Sequence, residues 1–158
     1  GLDYLKLDVQ GAELDVLRGA PRLLTKALVV HTEVEFVPLY REQPLFSDVD
    51  HVLRGAGYEL FAFEEMQSRA YRPFQGHELP TSHRFRQVLW TDAIYVRSLF
   101  QLDRLDADDL GRLFVILHVA YRATDLCARV LQHLDVKTGR TAALNYRAEA
   151  LASFGAAR

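Results

Sequence analysis

One cysteine, Cys127, occurs among 158 residues. That excludes an internal disulfide, and in an apolar helical stretch the thiol reads as buried packing. No apolar run approaches the roughly 20 residues needed to span a bilayer, and no signal peptide opens the chain. These absences lead us to expect a cytoplasmic protein. Charge of neither sign dominates: the formal net charge is -2. There is thus no electrostatic case for nucleic acid or an anionic membrane as partner. The only methionine is Met66 and the chain opens on Gly1, which reads as a piece of a longer polypeptide.

Familiar site motifs are absent as well. The sequence has no G-x-G-x-x-G or P-loop, no G-x-S-x-G elbow, and no H-E-x-x-H or paired-cysteine spacing for a metal. Its six histidines, His31, His51, His77, His83, His118 and His133, are scattered.

What is present is ordinary globular composition: 49% apolar, 25% charged and 11% aromatic. The stretch "DYLKLDV" alternates and ends at Gln10 and Gly11, so a strand is expected over 3–9. From Ala12 the period becomes helical, with Ala12, Leu14, Val16, Leu17 and Ala20 on one face and Glu13 and Asp15 favoured by the helix dipole. "ALVVHTEVEF" predicts a second strand over 27–36, covered on both faces. Ser47 is expected to cap a helix with Asp50 in the capping-box position, the helix burying Val49, Val52, Leu53 and Ala56 and ending at Gly55 and Gly57. A third strand is expected over 58–63 and an irregular excursion, with room for a short hairpin, over 64–86. A fourth strand is expected within 87–97, best over 93–96, and it follows no clear helix, so it is expected antiparallel. The order predicts a mainly parallel α/β sheet.

From about residue 100 the pattern is helical throughout. Asp106, with Asp109, caps a first helix; Thr124 caps a second; "KTGRTAALNYRAEALASF" gives a third. The domain reading is therefore 1–99 and 100–158. The tail either packs as plain structure or serves as a docking or dimerisation arm.

Ligands of open α/β sheets bind beyond the carboxyl ends of the strands. Asp8, Glu33 and Glu35 are expected there, beside Gln10 and Gly11 at a strand-to-helix turn. Alternation puts Glu33 and Glu35 on one face. A carboxylate in that place could act as a general base toward a hydroxyl. The plainer alternative is a turn-capping Asp8 and solvated glutamates.

Three stretches carry a resemblance: "DYLKLDVQGAELDVLRGA", "VVHTEVEFVPLYREQPLFSDVDHVLRGAGYELF" and "VLWTDAIYVR". Together they resemble the C-terminal half of an FkbM-family methyltransferase domain, from about Gly1 to about Val96. The resemblance implies methyl transfer from S-adenosylmethionine, usually to an oxygen of a polyketide, glycan or other small molecule. It implies a Rossmann-like class I methyltransferase sheet. Residues 5–9, 27–36, 58–63 and 93–96 would be its strands four, five, six and the antiparallel seven, followed by an α-helical tail. It implies Asp8 as the base or acceptor-orienting group, with Glu33 second. Gln10, Gly11, Glu13, Glu35 and Asp92 would lie on the substrate or cofactor side, and Trp90 would enter strand seven. Gln10 stands where the family often has Glu, which argues against a base at that position. No metal is implied. The family's cofactor loop and ribose-binding acid fall upstream of Gly1 in this alignment, so the isolated chain is expected neither to bind cofactor nor to catalyse. A non-catalytic fragment or pseudo-enzyme whose helical tail is an interaction module is the alternative. The exposed first strand or the tail would then serve self-association.

Overall fold

The computed structural model describes residues 2–74, 78 and 85–156. His77, His83 and most of the second half of the expected excursion lie outside the described residues. The chain forms two compact units, one built on residues 4–96 and one on 97–158. No helix among the described residues is long and apolar enough to cross a membrane.

In the first unit the order is β1 (Tyr4–Leu7), α1 (Glu13–Gly19), α2 (Pro21–Leu24), β2 (Val29–Glu35), α3 (Phe46–Gly55), β3 (Tyr58–Ser68) and β4 (Val88–Arg97). The sheet order is β1-β2-β4-β3. β1 runs parallel to β2, whereas β4 runs antiparallel to it. The unit is thus α/β with a mixed sheet, in which β4 is the antiparallel partner of β2. β3 continues to Ser68, five residues past the expected end, into what the sequence presented as irregular.

Side chains alternate across a strand, so each strand has two faces. One face carries Leu7, Val30, Val34, Ala93 and Tyr95, and these pack with Leu14, Leu17, Val49 and Leu53 from α1 and α3. Each fully buried leucine there is worth about 1.5–3 kcal/mol. The Tyr58 hydroxyl satisfies two carbonyls of the α2–β2 connection, Leu24 O at 3.0 Å and Ala27 O at 2.6 Å. The other face of β2 carries His31, Glu33 and Glu35, with Lys6, Ile94 and Asp92 in register beside them.

Several local expectations need correction. Val16 and Ala12 are exposed, and Glu13 takes a buried place instead. The reason lies in the turn before α1, described below. The cap of α3 is Leu45 rather than Ser47, because Asp48 reaches back to the Leu45 N–H at 2.9 Å. Asp50 instead holds Arg54 at 2.7 Å and accepts from the Tyr95 hydroxyl at 3.0 Å.

The second unit has a 3-10 segment, Leu99–Arg104, then α4 (Ala107–Tyr121), α5 (Thr124–Thr138) and α6 (Ala142–Ala156). Asp106 caps α4 by accepting the Asp109 N–H at 2.7 Å, as its spacing predicted. Thr124 does not cap α5: Ala123 is the cap, and the Thr124 hydroxyl turns back to the Arg122 carbonyl. α5 runs on to Thr138, and Gly139 ends it in the left-handed conformation at φ 68°. Asp135, still on α5, caps the start of α6 through the N–H groups of Ala142 and Ala143, at 2.9 and 2.8 Å. Cys127, on α5, is buried with its thiol toward the Phe114 carbonyl of α4, and burial pushes that thiol up.

Candidate functional site

The site begins at the β1–α1 turn. β1 ends at Leu7, and the chain must reverse from strand to helix within five residues. Gln10 at φ 55° and Gly11 at φ 99° make that reversal in left-handed backbone. A side chain at Gly11 would be strained there, and its Cβ would meet the Gln43 amide at 3.2 Å. Glu13 clamps the turn from inside. Its two carboxylate oxygens accept the N–H groups of Val9 at 2.8 Å and Gly11 at 3.0 Å. A buried carboxylate survives because such charge-assisted bonds replace its water. Glu13 is therefore committed to the backbone.

Asp8 sits just beyond β1, exposed, and its Oδ1 accepts from the Gln10 side-chain amide at 3.0 Å. Glu33 and Glu35 close β2 on the face away from the apolar core, as alternation predicted. Glu33 is half-buried. Burial raises its pKa, helped by the charges of Asp8, Glu13 and Asp92 and opposed by Lys6. Glu35 is only 4% exposed. Burial, then Glu13 and Glu33, push its carboxyl up to about 7, while its own backbone N–H pulls the other way. Asp92 joins from β4 as the direct cross-strand partner of Glu33. Its Oδ2 is held by His31 Nε2 at 2.7 Å and by Lys6 Nζ at 3.4 Å. With the proton on Nε2 facing the carboxylate, Nδ1 accepts from the Tyr4 hydroxyl, 3.0 Å away.

The structure thus gathers Asp8, Gln10, Gly11, Glu13, Glu33, Glu35 and Asp92 at one end of β1 and β2. Sequence reasoning missed three neighbours. His31 carried a usable signal, because period two puts it on the face of Glu33 and Glu35. Lys6 carried the same signal through the parallel register with His31. Gln43 carried none. Its Oε1 accepts the N–H groups of Leu39 at 2.8 Å and Tyr40 at 3.1 Å, which fixes the amide's orientation. Its Nε2 then lies buried without a partner among the described residues. Trp90 faces Glu35 across the β2–β4 pair and carries the Arg69 guanidinium 5.3 Å from its ring centroid.

Chemically the arrangement is a rim of carboxylates in unlike environments. Asp92 is stabilised by two donors, Asp8 is exposed, and Glu33 and Glu35 hold their protons more tightly than ordinary glutamates. Such contrast lets one group bind while another exchanges a proton near neutral pH. Among the described residues no three His, Cys, Asp or Glu side chains are placed to hold a metal ion.

Neither the curated proteins nor the solved structures give a match to this chain. Residues 1–60, which span β1 to the start of β3 and include Asp8, Gln10, Gly11, Glu13, Glu33 and Glu35, match the family model of the methyltransferase FkbM domain, and the stretch is identified by that match as FkbM methyltransferase sequence.

Proposed function

We propose that this chain supplies the acceptor-facing part of a methyltransferase that moves a methyl group from S-adenosylmethionine to an oxygen of a small-molecule or glycan acceptor. The observation that carries the reading is the convergence of Asp8, Glu33 and Asp92 at the strand ends, inside or beside the family-matched stretch. β1, β2, β3 and β4 are assigned to strands four, five, six and seven of a class I sheet. The antiparallel pairing of β4 supports that assignment.

For the cofactor the donor set is one-sided. A cofactor carboxylate would seek backbone N–H groups at a strand-to-helix turn. In the β1–α1 turn those of Val9 and Gly11 are already bonded to Glu13. The described residues therefore fit the acceptor side of such a site and do not by themselves fit the cofactor side. What they do is hold and deprotonate an acceptor. Asp8, oriented by Gln10, lies open for a hydroxyl to donate to it. Glu33 has a raised proton affinity, as a base needs. Glu13 and Gly11 set the turn that aims Asp8.

Calorimetric titration of S-adenosylmethionine into the 158-residue chain tests the one-sidedness, with no micromolar binding expected; micromolar binding would overturn it. In the complete methylating enzyme, Asp8→Ala is expected to slow methylation by about a hundredfold. An unchanged rate would remove Asp8 as base. A second reading gives the helical unit an interaction role, because Val119, Val136, Leu144 and Phe154 leave apolar surface exposed. Sedimentation of the chain over a range of concentrations tests it, and a strictly monomeric profile counts against self-association.

A further inference from the structure

The segment between β2 and α3 leaves the sheet and returns almost to its starting point. The rings of Phe36 and Phe46 lie 5.4 Å apart, and Phe63 of β3 packs against both, at 5.8 and 5.4 Å. This aromatic clasp fixes the two ends. Just inside it stand Pro38 and Pro44, which stiffen both arms. Between them Leu39, Tyr40, Arg41 and Glu42 are exposed, and Glu42 holds the tip in left-handed backbone at φ 56°. Gln43 makes one piece of the segment, because its Oε1 accepts the N–H groups of both Leu39 and Tyr40. The same amide also reaches out of the segment. Its Nε2, Cδ and Cγ lie 3.2, 3.8 and 3.8 Å from the place that a Cβ on Gly11 would take. Gly11 is thus a seat for this amide as well as a reversal of the chain.

The seat holds weakly. Seated, Nε2 is buried and has no partner among the described residues. A buried donor left unpaired disfavours the state that buries it, and water satisfies that donor once it is lifted. The bonds to Leu39 and Tyr40 use the other end of the amide, so lifting does not cost them. We propose that residues 37–45 form a lid that swings as one unit about the Phe36–Phe46 clasp, with Gln43 as its latch on Gly11, covering and uncovering the β1–α1 turn beside Asp8. The lid gives the acceptor-side reading a moving part and does not depend on it.

Relaxation dispersion of the amide signals of the 158-residue chain tests the lid. Leu39, Tyr40, Gln43 and Gly11 are expected to share one exchange rate on the microsecond-to-millisecond scale of lid motions, while Val34 and Val49 stay flat. Flat profiles at the four amides, unrelated rates on the two sides of the latch, or the same exchange at Val34 and Val49 would overturn the proposal. Gln43→Glu keeps an oxygen for the Leu39 and Tyr40 N–H groups, removes the donor, and sets a second carboxylate against the turn that Glu13 already holds. It is expected to raise the open population about fivefold at the same four amides. An open population no higher than in the wild-type chain would remove Gln43 as the latch. Each of these outcomes leaves the acceptor-side reading standing, because that reading is decided by cofactor titration and by the methylation rate of Asp8→Ala.

Discussion

The helical unit and the sheet unit use their carboxylates in opposite ways. In the helical unit they serve the backbone. Asp106 caps α4, and Asp135 reaches from α5 to cap α6. His118 and Tyr146 are tied to each other at 2.9 Å beside Phe114, which holds α6 against its neighbours. In the sheet unit one carboxylate, Glu13, works in the same way. Among the others at the strand ends, Glu33 stands directly opposite Asp92 across the β2–β4 pair. A fold spends a capping aspartate to save orphan N–H groups. Setting Glu33 opposite Asp92 saves no orphan N–H group, and the proposed site rests on that contrast.

This contrast can be broken at three points. The largest effect is expected for Glu13→Ala. It removes two charge-assisted bonds and leaves the Val9 and Gly11 N–H groups without them, a loss of about 3 kcal/mol. Urea unfolding followed by fluorescence measures it; a loss under 1 kcal/mol would mean that Glu13 does not carry the turn. The next concerns pH. The folded Glu35 carboxyl is raised from 4.5 to about 7, so its contribution is fully present below pH 4.5 and is lost as pH rises through about 7. From pH 5 to pH 8 the wild-type chain should lose about 2 kcal/mol more stability than Glu35→Gln does. Parallel pH profiles for the two proteins would refute the raised value. The smallest effect is expected for Asp135→Ala, which uncaps α6 at a cost of about 1 kcal/mol. Amide exchange should accelerate in α6 while β1 and β2 keep their protection.

Much of the sheet unit was legible because alternation is local. The face shared by Glu33 and Glu35 follows from their spacing, and the position of Asp8 follows from the end of an apolar run. His31 was legible by the same rule and passes unnoticed only because a lone histidine on a strand signals nothing by itself. The pairing of Glu33 with Asp92 was not legible, since residues 59 positions apart meet only through the β2–β4 register. Nor was the burial of Glu13. A glutamate in a first helical turn looks like a dipole partner, and only the left-handed pair Gln10 and Gly11 turns two N–H groups toward it. Helix starts misled for a related reason. Asp48 and Asp106 both bond N–H groups three residues away, but Asp48 does so backward from inside its helix. The sequence rule for caps does not tell these directions apart.

The central place of β4 also has a consequence for how the site comes into being. β4 is the last strand of the sheet in the chain, yet it lies between β2 and β3. Asp92 cannot join the rim when β1 and β2 have paired, nor when β3 has been made. It does so only once the chain has closed a loop of more than fifty residues, a slow step entropically. A nascent or partly unfolded chain can therefore hold its first parallel pair and be wholly without the Glu33–Asp92 pair. The Glu33–Asp92 pair is therefore completed only when the final strand joins.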